Sequence, residues 1–198
     1  MGNRSAMAID PSRFTLSNIV DTCAVWHILS SKSLYYKAKG ARCVFCITLF
    51  VHYECLYKPR KMTSAADEEL MRRLRDAQKR SQFRTHELEI EDLQEIEILR
   101  KRQNLGKGEL TSIAFAKKTN IAFVTDDQKA RKLAASILGS SNVQTTPHLL
   151  SWLAFNGYVV DSDKDDIKCE HAKFGQKLAP YFDAAFSEAM RCRLLMSR

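Results

Sequence analysis

One stretch of the sequence, residues 106–135, places acidic residues where they could bind a metal ion. Glu109 opens a predicted helix after a glycine-containing turn. Asp126 and Asp127 directly follow residues 121–124, a β-branched and aromatic run typical of a buried strand. In open α/β sheets, ligands bind at the carboxyl ends of the strands. Carboxylates gathered there repel one another unless a cation neutralises them, and hard divalent cations prefer oxygen ligands. The stretch therefore predicts a metal site.

Strands alternate with helices along the sequence, at spacings that fit βαβ crossovers. A first strand, residues 16–20, ends at Asp21. A second strand, residues 43–47, leads into a helix that Thr48 can cap and that contains Glu54. The other predicted elements are helices at 23–36, 64–84, 92–102, 128–138 and 147–156 and short strands at 88–90 and 143–145. The pattern predicts a three-layer α/β/α sandwich with a mostly parallel central sheet.

The sequence divides into three predicted segments. Residues 1–15 are polar and show no periodicity, which predicts a mobile leader. Residues 16–160 contain all the predicted strands and form the α/β domain. Residues 161–198 are polar at first and helical in pattern from Ala172 onward, which predicts a C-terminal helical extension.

The composition favours a folded, basic protein of the cytoplasm. The chain has 198 residues and is 45% hydrophobic, so it can bury a core. Its net charge of +8 favours a polyanionic partner such as nucleic acid. The six cysteines lack the spacing of a zinc site, and no apolar run is long enough to span a bilayer. We therefore expect reduced thiols, a cytoplasmic location and no membrane partner.

Four acidic motifs follow one another in a fixed order. They are IVDTCAV with Asp21, LFVHYECLY with Glu54, GKGELTSIAFA with Glu109, and FVTDDQKARKLA with Asp126 and Asp127. In this order and spacing, over roughly residues 16–160, the chain resembles the PIN-domain nucleases. The third motif is similar to that of the branch that uses Gly-x-Gly-Glu where many members carry aspartate.

This resemblance implies a divalent-metal-dependent ribonuclease that uses one or two Mg²⁺ or Mn²⁺ ions. The expected ligands are Asp21 and either Asp126 or Asp127 directly, and Glu54 and Glu109 directly or through water. Thr22 or Thr125 could orient a water or a carboxylate. Taken singly, each acidic residue could instead be a helix cap or an exposed helix residue. Their joint placement at the strand ends favours the metal site.

Basic residues that could contact RNA phosphates lie on the long charged helix and near the acidic motifs. The candidates are Arg72, Arg73 and Lys79 on the helix, and Lys107 and Arg131 near the motifs. The long helix could equally be a solvated face or contact an antitoxin. Arg131 could instead pair with Asp127, four residues before it. The five histidines show no ligand spacing and are predicted to be structural or on the surface.

The leading hypothesis is a metal-dependent endoribonuclease, the toxin of a bacterial toxin–antitoxin pair. Besides RNA, the candidate partners are an antitoxin protein and a second copy of the chain. One alternative is a non-catalytic RNA-binding or scaffold module on a PIN-like fold. Another is a structure-specific DNA nuclease.

Overall fold

A five-stranded, fully parallel sheet forms the centre of the protein. The computed structural model describes residues 10–59, 62–89, 91–92, 94 and 105–196. The strands are β1 (Ser17–Val20), β2 (Val44–Thr48), β3 (Arg84–His86), β4 (Ala122–Val124) and β5 (Val143–Gln144). They lie in the order β3-β2-β1-β4-β5. The predicted parallel sheet is confirmed.

Helices cover both faces of this sheet. They are α1 (Thr22–Ser30), α2 (Lys32–Gly40), α3 (Leu49–Leu56), α4 (Ala65–Lys79), α5 (Lys107–Thr119), α6 (Gln128–Leu138), α7 (Thr146–Phe155), α8 (Asp161–Lys173) and α9 (Ala179–Met196). No helix within the described residues combines the length and the apolar composition that crossing a membrane requires.

Two apolar clusters lie on opposite faces of the sheet, because successive side chains of a strand alternate between its faces. Val20 and Val124 join the cluster formed with α1, α2, α4, α7 and α9. Ile19 and Phe123, one position earlier on the same strands, join the cluster formed with α5 and α6. The sheet therefore lies between two helical layers, and the predicted three-layer α/β/α fold is confirmed.

The chain reverses its direction of travel across the sheet at β1, which lies between β2 and β4. Val20 pairs with Val124, and the Asp21 N–H donates to the Val124 carbonyl at 3.3 Å. The residues that follow β1 and β4 therefore leave the sheet side by side. Open α/β sheets bind their ligands at such a switch point, outside the carboxyl ends of the strands.

The single helix predicted over residues 23–36 is wrong, because Ser31 divides it into α1 and α2. Ser31 adopts an extended conformation, and its Oγ accepts a hydrogen bond from the Leu34 N–H at 3.0 Å. Glu170 accepts from Ser31 Oγ at 2.7 Å and from the Ser33 N–H at 3.0 Å. A long-range carboxylate thus supports a helix start in the middle of the predicted helix.

The third strand also lies earlier than predicted. The long helix ends at Lys79, and β3 occupies Arg84–His86 rather than residues 88–90. Phe83 is fully buried and its N–H donates to the Phe45 carbonyl at 2.7 Å, which draws the chain out of the helix and onto the edge of β2. Residue 90 and most of the predicted helix at 92–102 lie outside the described residues.

The C-terminal extension is helical from its start. We predicted a helix from Ala172 onward, whereas α8 already begins at Asp161, where Asp163 accepts a hydrogen bond from the Val160 N–H at 2.9 Å. Ile167 and Phe182 are fully buried in the same core cluster as α1 and α7. The extension therefore packs directly on the α/β domain.

The predicted leader is described from residue 10 onward. Phe14 stacks on Trp152 of α7 with 5.7 Å between ring centroids. The Thr15 N–H donates to the side chain of Gln144 at 2.9 Å. Residues 1–9 lie outside the described part of the chain.

Candidate active site

Asp21 lies buried between the ends of β1 and β4. Its Oδ1 accepts from the Ala24 N–H at 2.8 Å and from the Cys23 thiol at 3.0 Å, and Thr125 Oγ1 donates to its Oδ2. Burial and, to a smaller extent, the charge of Asp126 raise the pKa of Asp21 to about 6, against the lowering effect of these hydrogen bonds. The protein therefore holds this carboxylate in a place that disfavours its ionised form.

Glu54 projects from α3 toward the first turn of α5. Its Oε2 accepts from Thr22 Oγ1 at 2.6 Å, which joins it to the residue after Asp21. The carboxylate occupies the space that a side chain at Gly108 would fill, because a Cβ there would collide with Oε2 and lie 3.2 Å from Cδ. Gly108 therefore makes room for Glu54.

Glu109 stands at the start of α5, where its Oε2 accepts from the Gly106 N–H at 2.8 Å. Burial raises the pKa of Glu109, and the charges of Asp127 and Glu54 raise it further. Glu109 is therefore close enough to Asp127 and to Glu54 to be repelled by both. This electrostatic coupling joins residues from α3, α5 and the end of β4.

The adjacent aspartates after β4 have different surroundings. Asp127 caps α6 by accepting from the Ala130 N–H at 2.8 Å, and its charge raises the pKa of Glu109. Asp126 accepts from the Thr146 N–H at 2.9 Å and from Thr146 Oγ1 at 2.6 Å. Its Oδ2 also lies 2.7 Å from His27 Nδ1. Asp126 is thus hydrogen-bonded through both oxygens and its charge raises the pKa of Asp21, whereas the charge of Asp127 raises the pKa of Glu109.

The site offers oxygen ligands suited to a hard divalent cation. Within the described residues, no three His, Cys, Asp or Glu side chains lie close enough to hold one ion together. Mg²⁺ does not need such a group, because it usually keeps several waters and binds one or two carboxylates together with substrate phosphates. Burial, with a smaller contribution from neighbouring negative charges, raises the pKa of Asp21 and Glu109, and a bound cation would offset both effects. Asp21, Glu54, Glu109 and Asp127 therefore fit such an ion, held partly through water.

A comparison with protein families identifies the family of the chain. The family model DUF3368, described as a PIN domain, matches residues 48–151, just over half of the chain. The chain belongs to the PIN-domain family. Comparisons with curated proteins and with solved structures each give no significant match. Members of the family are generally nucleases that use divalent metal ions.

The family match includes three of the four carboxylates of this PIN domain. Glu54, Glu109 and Asp127 lie within it, whereas Asp21 precedes it. The structure joins Asp21 to the matched region through the parallel pairing of β1 with β2 and β4. The extension from residue 161 onward also lies outside the match.

The two threonines predicted to support the site of this PIN domain both contact carboxylates. Thr22 donates to Glu54, and Thr125 donates to Asp21. Thr125 Oγ1 also accepts from the Asp127 N–H at 3.1 Å. Thr125 therefore connects the carboxylate after β1 with the backbone that carries the carboxylate after β4.

Arg131 and Lys107 are the basic candidates nearest the acidic residues in sequence. Within the described residues Arg131 forms no ion pair, so the alternative pairing with Asp127 is not seen, and its buried Nε has no hydrogen-bond partner. The Lys107 ammonium lies 5.9 Å from the centroid of the Phe50 ring on α3, the helix of Glu54. Both side chains remain candidates for binding phosphate.

The basic candidates on α4 form ion pairs and hydrogen bonds with neighbouring groups of the protein. Arg72 donates to Glu69 at 2.6 Å and to Asp76 at 3.2 Å, and Lys79 lies 3.4 Å from Asp76. Arg73 donates to Glu69 and to the Leu29 and Ser30 carbonyls at the end of α1. The structure therefore does not bring these three side chains to the carboxylates.

His27 is a residue at this site that sequence reasoning missed. We predicted all five histidines to be structural or on the surface, yet His27 contacts one of the acidic-motif residues, Asp126. The two lie far apart in sequence, and no local spacing relates them. Only the packing of α1 beside the end of β4 brings them together.

Gly108→Ala tests whether Glu54 must occupy its observed place. The new methyl group displaces the Glu54 carboxylate, so we expect nuclease activity to fall roughly tenfold or more. Folding stability should change by only about 1 kcal/mol, because alanine favours the helix more than glycine does.

Gly106→Ala is the matched control. Its φ of −68° suits any residue, and a Cβ there would lie 3.5 Å from Glu109 Oε2, an ordinary contact. Cleavage rates and thermal melting of both variants are to be compared with the unaltered protein. Equal rates for the two variants would mean that the position of Glu54 does not matter.

Proposed function

We propose that this PIN domain is a divalent-metal-dependent endoribonuclease. The observation that supports it most is the electrostatic coupling of Glu109 with Glu54 and Asp127, together with the hydrogen bonds of Thr22 and Thr125 that link Asp21 to the same end of the sheet. Two of these carboxylates have raised pKa values, a common property of functional sites.

Each residue has a distinct role in this proposal. Asp21, Glu109 and Asp127 hold Mg²⁺ or Mn²⁺ directly or through water, with Glu54 completing the set. When bound, such an ion stabilises charge on the phosphate and lowers the pKa of a bound water. Thr22 orients Glu54, and Thr125 orients Asp21, through the hydrogen bonds described above.

Phosphate binding is proposed for Arg131 and Lys107. Arg131 has a buried Nε without a partner in the described part of the chain, so a phosphate oxygen could satisfy it. A buried donor that lacks a partner ordinarily destabilises a protein by about 1–3 kcal/mol, and a bound phosphate would relieve this cost. The net charge of +8 also favours a polyanionic substrate.

The choice of RNA as substrate, and the role as a toxin, are proposed from the family resemblance. An antitoxin partner, a homodimer and a cytoplasmic location accompany that role as predictions. Arg72, Arg73 and Lys79 remain candidates for contacting RNA or an antitoxin, although each is already bonded to neighbouring side chains.

Matched single-stranded oligonucleotides of RNA and DNA provide the test. With Mg²⁺ or Mn²⁺ we expect internal cleavage of the RNA, none of the DNA, and none of either in the presence of a chelator. Faster cleavage of DNA, above all of branched DNA, would favour the DNA nuclease. Tight binding of RNA without cleavage under any metal condition would favour the non-catalytic module.

A further inference from the structure

Asp126 is held by two different elements. The Thr146 N–H and hydroxyl both donate to it, and His27 Nδ1 lies 2.7 Å from its Oδ2. An ionised carboxylate only accepts hydrogen bonds, so His27 Nδ1 carries a proton and donates. The side chain of Asp126 is 6% exposed. Asp126 therefore connects the chain after β4, by hydrogen bonds, to the start of α7 and to the middle of α1.

The segment that Asp126 holds in place also carries Thr125 and Asp127, two residues of the proposed site. Thr125, just before Asp126, donates a hydrogen bond to Asp21. Asp127 comes just after Asp126, and its charge raises the pKa of Glu109. The Cys23 thiol, on the same face of α1 as His27, donates to Asp21 at 3.0 Å. A shift of Asp126 would therefore move groups on both sides of the site.

His27 is in turn held by the C-terminal extension. His171 of α8 is fully buried, and its Nε2 lies 3.0 Å from the His27 carbonyl oxygen. A carbonyl accepts, so Nε2 carries the proton. The two imidazole rings pack with centroids 5.6 Å apart, and the His171 and Phe182 rings form a T-shaped pair with centroids 4.9 Å apart. The extension thus reaches the site through one histidine.

An imidazole is a costly side chain to place there for packing alone. His171 Nδ1 is buried and has no hydrogen-bond partner among the described residues. Leaving such a group unsatisfied costs about 1–3 kcal/mol, which an apolar ring of the same size would avoid. Burial also lowers the pKa of His171 to about 4, so the ring is neutral near pH 7 and has a single N–H to donate. That one N–H donates to the His27 carbonyl.

We propose that His171 is a positioning residue for the nuclease site. Its Nε2–H donates to the His27 carbonyl, which also accepts from Ser30 Oγ at 2.8 Å. Together with the packing of the two rings, this bond positions the His27 ring against Asp126, between Thr125 and Asp127 in the sequence. This inference rests on the proposed function. It gives the extension, which lies outside the family match, an indirect part in the site, through His27 and Asp126.

The test compares His171→Phe with His171→Gln. Phenylalanine keeps the ring and loses the donor, so we expect kcat for RNA cleavage to fall roughly tenfold or more with little change in KM, since small displacements near a reaction centre have effects of this size. Glutamine restores a donor, and its kcat should lie within about threefold of the unaltered protein. His171→Leu takes the place of phenylalanine if the larger ring disturbs packing.

His148→Phe is the matched control. Its Nε2 also lies 3.0 Å from a backbone carbonyl, that of Asp10, but it does not contact the acidic motifs. We expect its kcat to be unchanged. An unchanged kcat in folded His171→Phe, or equal losses in the phenylalanine and glutamine variants, would overturn the proposal.

A second readout does not depend on activity. Nitrogen-15 NMR of the unaltered protein should show a protonated Nδ1 for His27, with its hydrogen protected from exchange. In His171→Phe this protection should be lost, and in His148→Phe it should remain. Absence of cleavage by the unaltered protein would refute the proposed function, whereas unchanged protection in His171→Phe would refute the positioning role by itself.

Discussion

Asp21→Asn is expected to lower the rate of metal-dependent RNA cleavage by roughly 10²–10³-fold, because a bound cation supplies several kcal/mol of transition-state stabilisation. The change removes one negative charge and almost no volume. Asp21 lies between β1 and β4 and is the most buried of the carboxylates proposed to hold the ion. The measurement is the initial rate with Mn²⁺ on a labelled single-stranded RNA.

The same variant should be more stable than the unaltered protein above pH 6. Burial raises the pKa of Asp21 to about 6 from an ordinary value of 3.8, so folding loses stability as pH rises through this window. Above the window the loss is on the order of 3 kcal/mol, and asparagine avoids it. The Thr125 hydroxyl can rotate to accept from the new amide.

Asp165→Asn is the control for both measurements, since Asp165 is largely exposed on α8. Its cleavage rate and its free energy of unfolding should match those of the unaltered protein. If Asp21→Asn cleaves RNA at an undiminished rate, Asp21 is not part of the site. If it instead destabilises the fold above pH 6, Asp21 serves chiefly as the cap of α1.

The second large effect concerns pH. Lowering the pH from 7.5 to 5 should weaken Mn²⁺ binding by roughly tenfold or more, because the ligands must be ionised and Asp21, with a pKa of about 6, is mostly protonated at pH 5. Glu109 adds to the effect in the same direction, since its pKa is also raised. Calorimetric titration of metal-free protein with Mn²⁺ at a series of pH values measures it.

Glu109→Gln and Glu68→Gln separate this effect from a general response to acid. Glu109→Gln should bind Mn²⁺ more weakly at pH 7.5 and show a shallower dependence on pH. Glu68, which is exposed in the first turn of α4, should give the profile of the unaltered protein when replaced. An affinity that is constant from pH 7.5 to 5 would exclude carboxylates of raised pKa from the metal site.

The order of strands and helices could be predicted because it depends on local patterns. Residues 121–124 are apolar, β-branched or aromatic, and the structure places β4 there at Ala122–Val124. Ser31 and Phe83 could not be placed in this way. Ser31 ends one helix and starts another with the help of Glu170, and Phe83 leaves the helical path to fill a core formed by distant residues.

The positions of the acidic residues could also be predicted, but not their division of roles. Both aspartates after β4 suit a strand end and a helix start. Their difference comes from Thr146 and His27, which approach Asp126 from distant parts of the sequence. His171 was beyond sequence reasoning for the same reason, because its partner is a backbone carbonyl that leaves no trace in residue type.

Removal and return of the divalent cation tests the central claim most directly. Protein freed of metal with a chelator is to be assayed on a labelled single-stranded RNA, first alone and then with Mn²⁺ or Mg²⁺ added in excess. We predict no cleavage without metal and full recovery with Mn²⁺ or Mg²⁺, in the unaltered protein but not in Asp21→Asn. Cleavage that persists without metal, or that Asp21→Asn retains, would contradict a metal-dependent nuclease at this site.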